Sequence, residues 1–288
     1  ALEHGVNVLC EKPFTVTIEQ ADCLAATAKE KGLAGAVNYH NRFYPIPRQM
    51  KAMVEAGEVG DTVSVTGGYQ QDWLLYDTDF NWRLLRKNAG NTRIVGDIGS
   101  HWLDLAQYVT GKKIVSVLAE FRTVYPERVL AHPDGSSERV PIDTEDLAAF
   151  LCRFEDGAVG SGFVTGMMAG KKNQTLLAVA GKKLCLQWDT EANVNDLWVG
   201  RRNEPNQLLT KDPGLLSDAA KGLSPYPGGH AEGFPDAFTN HFRHFYATLR
   251  DPSIRPEYCT FAQGAREMRI IEALFESSRQ RRWIDISD

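Results

Sequence analysis

Lys12, Asp97 and His101 are the residues from which chemistry can start. Glu11-Lys12-Pro13 closes an apolar run from Val6 to Cys10, and the other two lie in Gly96-Asp-Ile-Gly-Ser-His101. An ammonium, a carboxylate and an imidazole brought together can take the proton from a sugar or polyol hydroxyl and stabilise the oxygen while its carbon loses hydride. Asp97 and His101 are four apart, so on a helical segment they share a face, and the carboxylate can either orient the imidazole or pair with the lysine. The spacing leaves open which of Lys12 and His101 is the formal base. Each residue also has an ordinary reading: Asp97 as an N-cap before an apolar helix, His101 as a half-buried core histidine beside Trp102, Lys12 as a solvated loop lysine. Their combination, more than any one of them, points to chemistry.

The elements that must position them fall into two unequal parts. Val6 to Cys10 suits a short buried parallel strand, and Leu33 to Tyr39 a second. Between them Thr17 to Lys31 carries Ile18, Ala21, Leu24, Ala25 and Ala28 at helical spacing, with Thr15 or Thr17 as N-cap and Gly32 as stop. This is one βαβ unit of a doubly wound sheet. After a helix at Arg48 to Ala56 strands dominate: Val63 to Trp73, Ile114 to Tyr125, Leu147 to Phe154, Ala158 to Met168, Leu176 to Ala180, Lys183 to Trp188 and Asp196 to Gly200. Turns such as Glu155-Asp-Gly157 and Ala180-Gly-Lys182 indicate antiparallel hairpins. Helices at Ser100 to Val109, Phe234 to Leu249 and Phe261 to Gln280 would cover one face of that sheet and leave the other for a partner. The fold class is therefore α/β plus α+β: one βαβ unit of a doubly wound sheet over residues 1–43, then an open, mainly antiparallel sheet domain with helices on one face over 44–288. The Pro- and Gly-rich loop from Asn203 to Glu232 is long enough to lie over a site.

Composition narrows the function classes. With 288 residues, 43% of them hydrophobic, and a net charge of −5, the chain has an ordinary globular balance. Arg279, Arg281 and Arg282 form its one basic cluster, which reads as a solvated helix end, so nucleic acid is not an expected partner. Five widely spaced cysteines without a C-x-x-C pair argue against a disulfide framework and a structural zinc site, and favour a reducing, cytoplasmic setting. No apolar run has membrane-spanning length. The absence of H-E-x-x-H and G-x-S-x-G removes common zinc protease and serine hydrolase readings. His230-x-Glu232 lacks the P-C-x-x-C a zinc deaminase would need, so no metal is expected.

The chain resembles the Gfo/Idh/MocA oxidoreductases. The likeness rests on Ala1-Leu-Glu-His-Gly-Val-Asn-Val-Leu-Cys-Glu-Lys-Pro13, Asn41-Arg-Phe-Tyr-Pro45, Gly57-Glu-Val-Gly60 and Gly96-Asp-Ile-Gly-Ser-His-Trp-Leu-Asp104, and runs nearly end to end. Gln71-Asp-Trp73, Asn81-Trp-Arg83 and Gly229-His-Ala-Glu-Gly233 are similar to members that act on a pyranose ring, such as levoglucosan and glucoside dehydrogenases. The resemblance implies an NAD(P)-dependent enzyme moving hydride between nicotinamide and a hydroxyl or keto carbon of a sugar, sugar derivative or polyol. In it Lys12 bridges the substrate hydroxyl and the nicotinamide ribose, His101 exchanges the proton and Asp97 positions both. Glu11, Pro13, Arg42, Trp82 and Arg83 then join Lys12 as cofactor-binding residues, and Tyr39, Gln71, Trp73 and His230 join the catalytic three around the substrate. Gln71 and Trp73, on one face of an extended strand, would grip a sugar by hydrogen bonding and stacking, unless that face packs on helices. The family's G-x-G-x-x-G, which holds the pyrophosphate at a helix N-terminus, does not occur. The expectation is a chain that begins inside its Rossmann domain, binds dinucleotide poorly as written and exposes a sheet edge. A homodimer or homotetramer through the open sheet face is expected, and the competing reading is a non-catalytic ligand-binding or dimerisation protein of the same fold.

Overall fold

The computed structural model describes residues 1–287. In chain order the strands are β1 (Val8–Cys10), β2 (Gly35–Val37), β3 (Thr62–Gln70), β4 (Ile114–Arg122), β5 (Glu127–Ala131), β6 (Ser137–Pro141), β7 (Leu147–Phe154), β8 (Val159–Thr165), β9 (Gln174–Gly181), β10 (Cys185–Asp189), β11 (Asp196–Gly200), β12 (Gln207–Thr210), β13 (Cys259–Thr260) and β14 (Ile284–Asp285). The helices are α1 (Ile18–Glu30), α2 (Pro45–Glu55), the single turn α3 (Arg86–Ala89), α4 (Ser100–Thr110), the single turns α5 (Thr190–Asn193) and α6 (Asp218–Lys221), α7 (Phe234–Arg250) and α8 (Phe261–Gln280).

A small sheet, order β1-β2-β13, holds the first unit: β1 and β2 run parallel with α1 as crossover, as the sequence implies. α1 starts in a capping box, with Thr17 Oγ1 accepting from the Gln20 N–H and Gln20 Oε1 accepting from the Thr17 N–H, each at 3.3 Å. The third strand comes from Cys259–Thr260, antiparallel to β2. Thr260 then caps α8 in a second box with Gln263, so the C-terminal helix is fastened to the N-terminal unit as well as to the large sheet.

That large sheet has nine strands in the order β12-β11-β10-β9-β3-β8-β7-β4-β14, and every neighbour pair is antiparallel except β3 with β8. β7 shows why it forms: its odd-numbered positions face outward and Ala148, Phe150, Cys152 and Phe154 inward, the period-2 pattern of a sheet with one buried face. α2, α4 and α8 cover the inner face. α4 comes in close because residue 67 is glycine, at φ 148°, where a Cβ would lie 1.9 Å from the Leu176 carbonyl oxygen and 2.9 Å from Trp102 Nε1. Trp102 Nε1 instead donates to that carbonyl at 3.0 Å. The outer face carries exposed Val63, Leu151 and Val159 and a hollow of about 710 Å³ over Leu118, Ala149 and Phe163.

Three expectations shift. β3 ends at Gln70, so Gln71 and Trp73 sit in a loop and not on an extended strand. The β5–β6 hairpin was not expected, and it forms its own two-stranded sheet. The loop after Asn203 contains β12 and α6. It is pinned by a buried ion pair, Lys211 Nζ to Glu232 Oε1 at 3.0 Å, and by the Ser217 N–H donating to Gln49 of α2 at 2.8 Å.

Candidate active site

β1 ends in Glu11-Lys12-Pro13, a π-helical turn at Val95–Gly99 carries Asp97, and the first turn of α4 carries His101. Lys12 Nζ donates to Asp97 Oδ1 at 2.7 Å and to the Asp97 carbonyl oxygen at 2.6 Å. The turn is closed by the Asp97 N–H on the Arg93 carbonyl at 2.7 Å and by Ser100 Oγ on the Gly96 carbonyl at 2.8 Å. Single π turns inside helices often mark functional sites. Of the two uses open to Asp97, the structure takes the pairing with lysine.

His101 is 3% exposed, and its Nδ1 is buried without a hydrogen-bond partner. Its ring packs edge-on against Tyr39 at 5.5 Å between centroids and His40 at 5.1 Å, and tilts against Tyr69 at 5.8 Å. Burial first, then the charges of Lys12 and His40, hold its pKa well below the usual imidazole value. His40 is lowered to about 4 by burial and by Lys12. Both rings are therefore neutral near pH 7, and neutral imidazole accepts protons.

On one side of this cluster Tyr69 Oη donates to Asn173 Oδ1 at 2.6 Å, Gln71 Nε2 donates to the same oxygen at 2.8 Å, and Trp73 Nε1 donates to Gln71 Oε1 at 2.9 Å. On another, a cavity of about 380 Å³ is lined by Glu11, Lys12, Pro13, Trp82, Arg83 and Asp97 among others. The Arg83 guanidinium stacks on Trp82 at 4.6 Å and its Nε stands 4.0 Å from Asp97 Oδ1. Glu11 is oriented by Asn38, whose Nδ2 donates to Glu11 Oε1 at 2.7 Å, while Asn38 Oδ1 lies 2.9 Å from Nδ1 of the buried His241.

Two residues stand elsewhere. Arg42 does not reach the cavity: its Nε and Nη2 bind Asp104 at 2.8 and 2.5 Å and its Nη1 binds Glu257 O and Gln263 Oε1, so every guanidinium nitrogen is committed. It reads as structural, which corrects the cofactor expectation. His230 is exposed, and among the described residues its bonds lie within its own loop, Nδ1 3.4 Å from the Gly228 carbonyl and its own carbonyl accepting from Lys211 Nζ at 3.0 Å. Sequence reasoning missed His40 and Asn173. His40 stood next to Tyr39 and was in reach of it. Asn173 had no local signal, since the fold alone brings it to Gln71.

The lining of the smaller cavity fits the nicotinamide end of NAD or NADP: an exposed indole and a proline offer a flat apolar wall, and Lys12 and Arg83 offer cations. These 288 residues hold no counterpart of the pyrophosphate loop.

Residues 1–39 match a family described as oxidoreductase with an NAD-binding Rossmann fold, and residues 48–186 match the GFO/IDH/MocA C-terminal domain. The crystal structure of an oxidoreductase domain protein from Kribbella flavida superposes with a TM-score of 0.91 at 30% identity, over all of this chain and 76% of that one. The chain belongs to the Gfo/Idh/MocA family. Levoglucosan dehydrogenase of Pseudarthrobacter phenanthrenivorans is 27% identical over 99% of this Gfo/Idh/MocA chain and 75% of that enzyme. A levoglucosan dehydrogenase structure with NADH and levoglucosan aligns at a TM-score of 0.89 and 26% identity, over 100% of this chain and 76% of that one. An inositol dehydrogenase homologue from Azotobacter vinelandii with NADH and myo-inositol aligns at 0.85 and 25%, over 99% and 73%. The present chain thus spans about three quarters of these relatives' length. The family expected from the motifs is the one found, and it is a family of NAD-binding oxidoreductases.

Proposed function

We propose that this protein moves hydride between NAD(P) and a hydroxyl or keto carbon of a sugar, sugar derivative or polyol, with Lys12, Asp97 and His101 handling the proton. The observation that carries the reading is the lysine held at 2.6 and 2.7 Å by a single aspartate. That lysine lines a cavity suited to nicotinamide, and its charge helps keep His101 neutral. NADH bound beside levoglucosan and beside myo-inositol in the relatives supports the cofactor and the substrate class.

Bound nicotinamide supplies the acceptor or donor of hydride; the chain supplies the rest. In the oxidative direction the substrate O–H gives its proton to neutral His101. The carbon gives its hydrogen with the bonding pair, and the C–O bond becomes a carbonyl. Lys12 keeps one N–H beyond the two that Asp97 accepts, and that donor steadies the oxygen as its charge grows. His101 is thus the base and Lys12 the electrostatic partner, an assignment that the spacing alone leaves open. Asp97 holds the ammonium in place. Tyr39 and Tyr69 wall the imidazole, and Gln71 and Trp73, fixed through Asn173, present an amide and an indole to a sugar ring. Glu11, Pro13, Trp82 and Arg83 would hold the nicotinamide end.

The division near residue 43 into cofactor and substrate parts, homodimer or homotetramer formation through the outer sheet face, and a cytoplasmic setting belong to the same reading. The exposed apolar residues of that face support the second, and five free cysteines support the third. Among the described residues no helix is long and apolar enough to cross a membrane.

The test is fluorescence titration of the whole protein with NADH and NADPH, followed by a screen of pyranoses and polyols for reduction of the oxidised cofactor. Saturable binding with turnover of one sugar class is expected. Binding of neither nucleotide would return the non-catalytic reading.

A further inference from the structure

The tripeptide Thr144-Glu145-Asp146, immediately before β7, is almost wholly buried, with exposures of 1%, 3% and 0%. It makes bonds that the proton chemistry does not use. Thr144 Oγ1 donates to the Leu84 carbonyl at 2.9 Å, the end of the turn that presents Trp82 and Arg83. The Glu145 carboxylate accepts the Arg93 N–H on both oxygens and the Val95 N–H on Oε1, all at 2.9 Å. Those two amides open the turn that carries Asp97, and the Asp97 N–H in turn rests on the Arg93 carbonyl. Asp146 Oδ1 receives Arg93 Nη2 at 2.6 Å and Arg128 Nη2 at 2.7 Å. Arg128, fully buried in β5, also donates from Nη1 to the carbonyls of Tyr76 and Asp79 and from Nη2 to that of Leu74, in the loop that follows Gln71 and Trp73.

Three segments remote in sequence, each feeding one side of the site, are therefore tied to three consecutive residues of the short turn that leads into β7. A buried carboxylate is costly unless satisfied, and burial does push the Glu145 carboxyl upward in pKa. Two backbone N–H donors are an expensive means of filling a core, but they fix a turn that must hold a lysine within hydrogen-bond distance.

We infer that Thr144-Glu145-Asp146 is a positioning brace that sets the cofactor-side turn, the Asp97 turn and the substrate-side loop in register, with Glu145 as the positioning residue for Lys12 and Asp97. This rests on the hydride-transfer reading above. The test uses the whole enzyme and two variants of opposite signature. In Glu145→Gln an amide nitrogen faces the Arg93 N–H, donor against donor. kcat should fall about 10- to 100-fold while the NADH dissociation constant, read by fluorescence, stays within about twofold. In Thr144→Val, which keeps shape and loses only the bond to Leu84, NADH should bind about three- to tenfold more weakly, with kcat at saturating cofactor retained. Folded variants with unchanged kcat in the first and unchanged NADH affinity in the second would overturn the brace, as would parallel losses of both quantities in both variants. A wild-type enzyme that turns over no sugar or polyol would instead defeat the functional reading. In that case NADH binding by Thr144→Val still decides the cofactor-side part of the brace.

Discussion

Two ion pairs link the N-terminal unit to the region of α4, and they are built differently. Lys12–Asp97 keeps side-chain exposures of 17% and 12% and borders a cavity. Arg42–Asp104 is closed at 6% and 0%, with both carboxylate oxygens and all three guanidinium nitrogens engaged. Burial opposes charge on both members of the closed pair, and the attraction between them overrides it for Arg42. Among the described residues Lys12 Nζ donates only to Asp97, so the open pair retains one N–H for a ligand. The first arrangement suits chemistry and the second suits architecture, although both are a cation and a carboxylate in contact across the same helix start.

Substitutions should separate the two pairs. Lys12→Met should lower kcat by about 10³-fold, roughly 4 kcal/mol of barrier, with the melting temperature nearly unchanged. Steady-state kinetics and calorimetry on one preparation check both halves. Arg42→Met should do the reverse, since it leaves Asp104 buried and unpaired: about 3–5 kcal/mol of stability lost, measured by urea unfolding, with kcat of the folded enzyme largely kept. A catalytic defect in a stable Arg42→Met would erase the distinction.

The imidazoles sharpen it through pH. His40 is lowered to about 4 and His241 to about 3, in each case by burial first, and His101 lies well below its usual value. Their folded pKa values are depressed below the unfolded value of about 6.5, so the unfolded chain binds protons first as pH falls. Their contribution is complete above about pH 6.5 and is lost toward pH 3–4, on the order of 3 kcal/mol for His40. Unfolding free energy measured from pH 7.5 to 4 should fall accordingly, and a flat profile would contradict neutral buried rings. The smallest effect expected is at the substrate side: Gln71→Ala should raise the sugar KM about three- to tenfold with kcat little changed.

Much of this was legible in the sequence where the physics is local. The strand at Leu147 to Phe154 and an N-cap for α1, which Thr17 supplies, depend on near neighbours and appear as read. The β5–β6 hairpin escaped because its two short strands show no apolar alternation and Arg128 is its one fully buried residue, a cation where pattern reading looks for an apolar side chain. Arg42 misled because strand ends in doubly wound sheets gather ligands, while the Asp104 that claims it lies far along the chain. Asn173, Thr144 and Glu145 act through folding alone: their partners at Gln71, Leu84, Arg93 and Val95 are brought to them by tertiary packing, which no window of sequence displays.

The account stands most directly on the pH dependence of kcat/KM for sugar oxidation by the whole enzyme, compared between wild type and Lys12→Met. With His101 neutral as base and Lys12 charged beside it, the wild-type acid limb should fall below pH 6.5. In Lys12→Met, which removes a charge that lowers the His101 pKa, the residual activity should show that limb shifted upward. A full-rate Lys12→Met enzyme with an unmoved acid limb would contradict the claim that the open pair performs the chemistry.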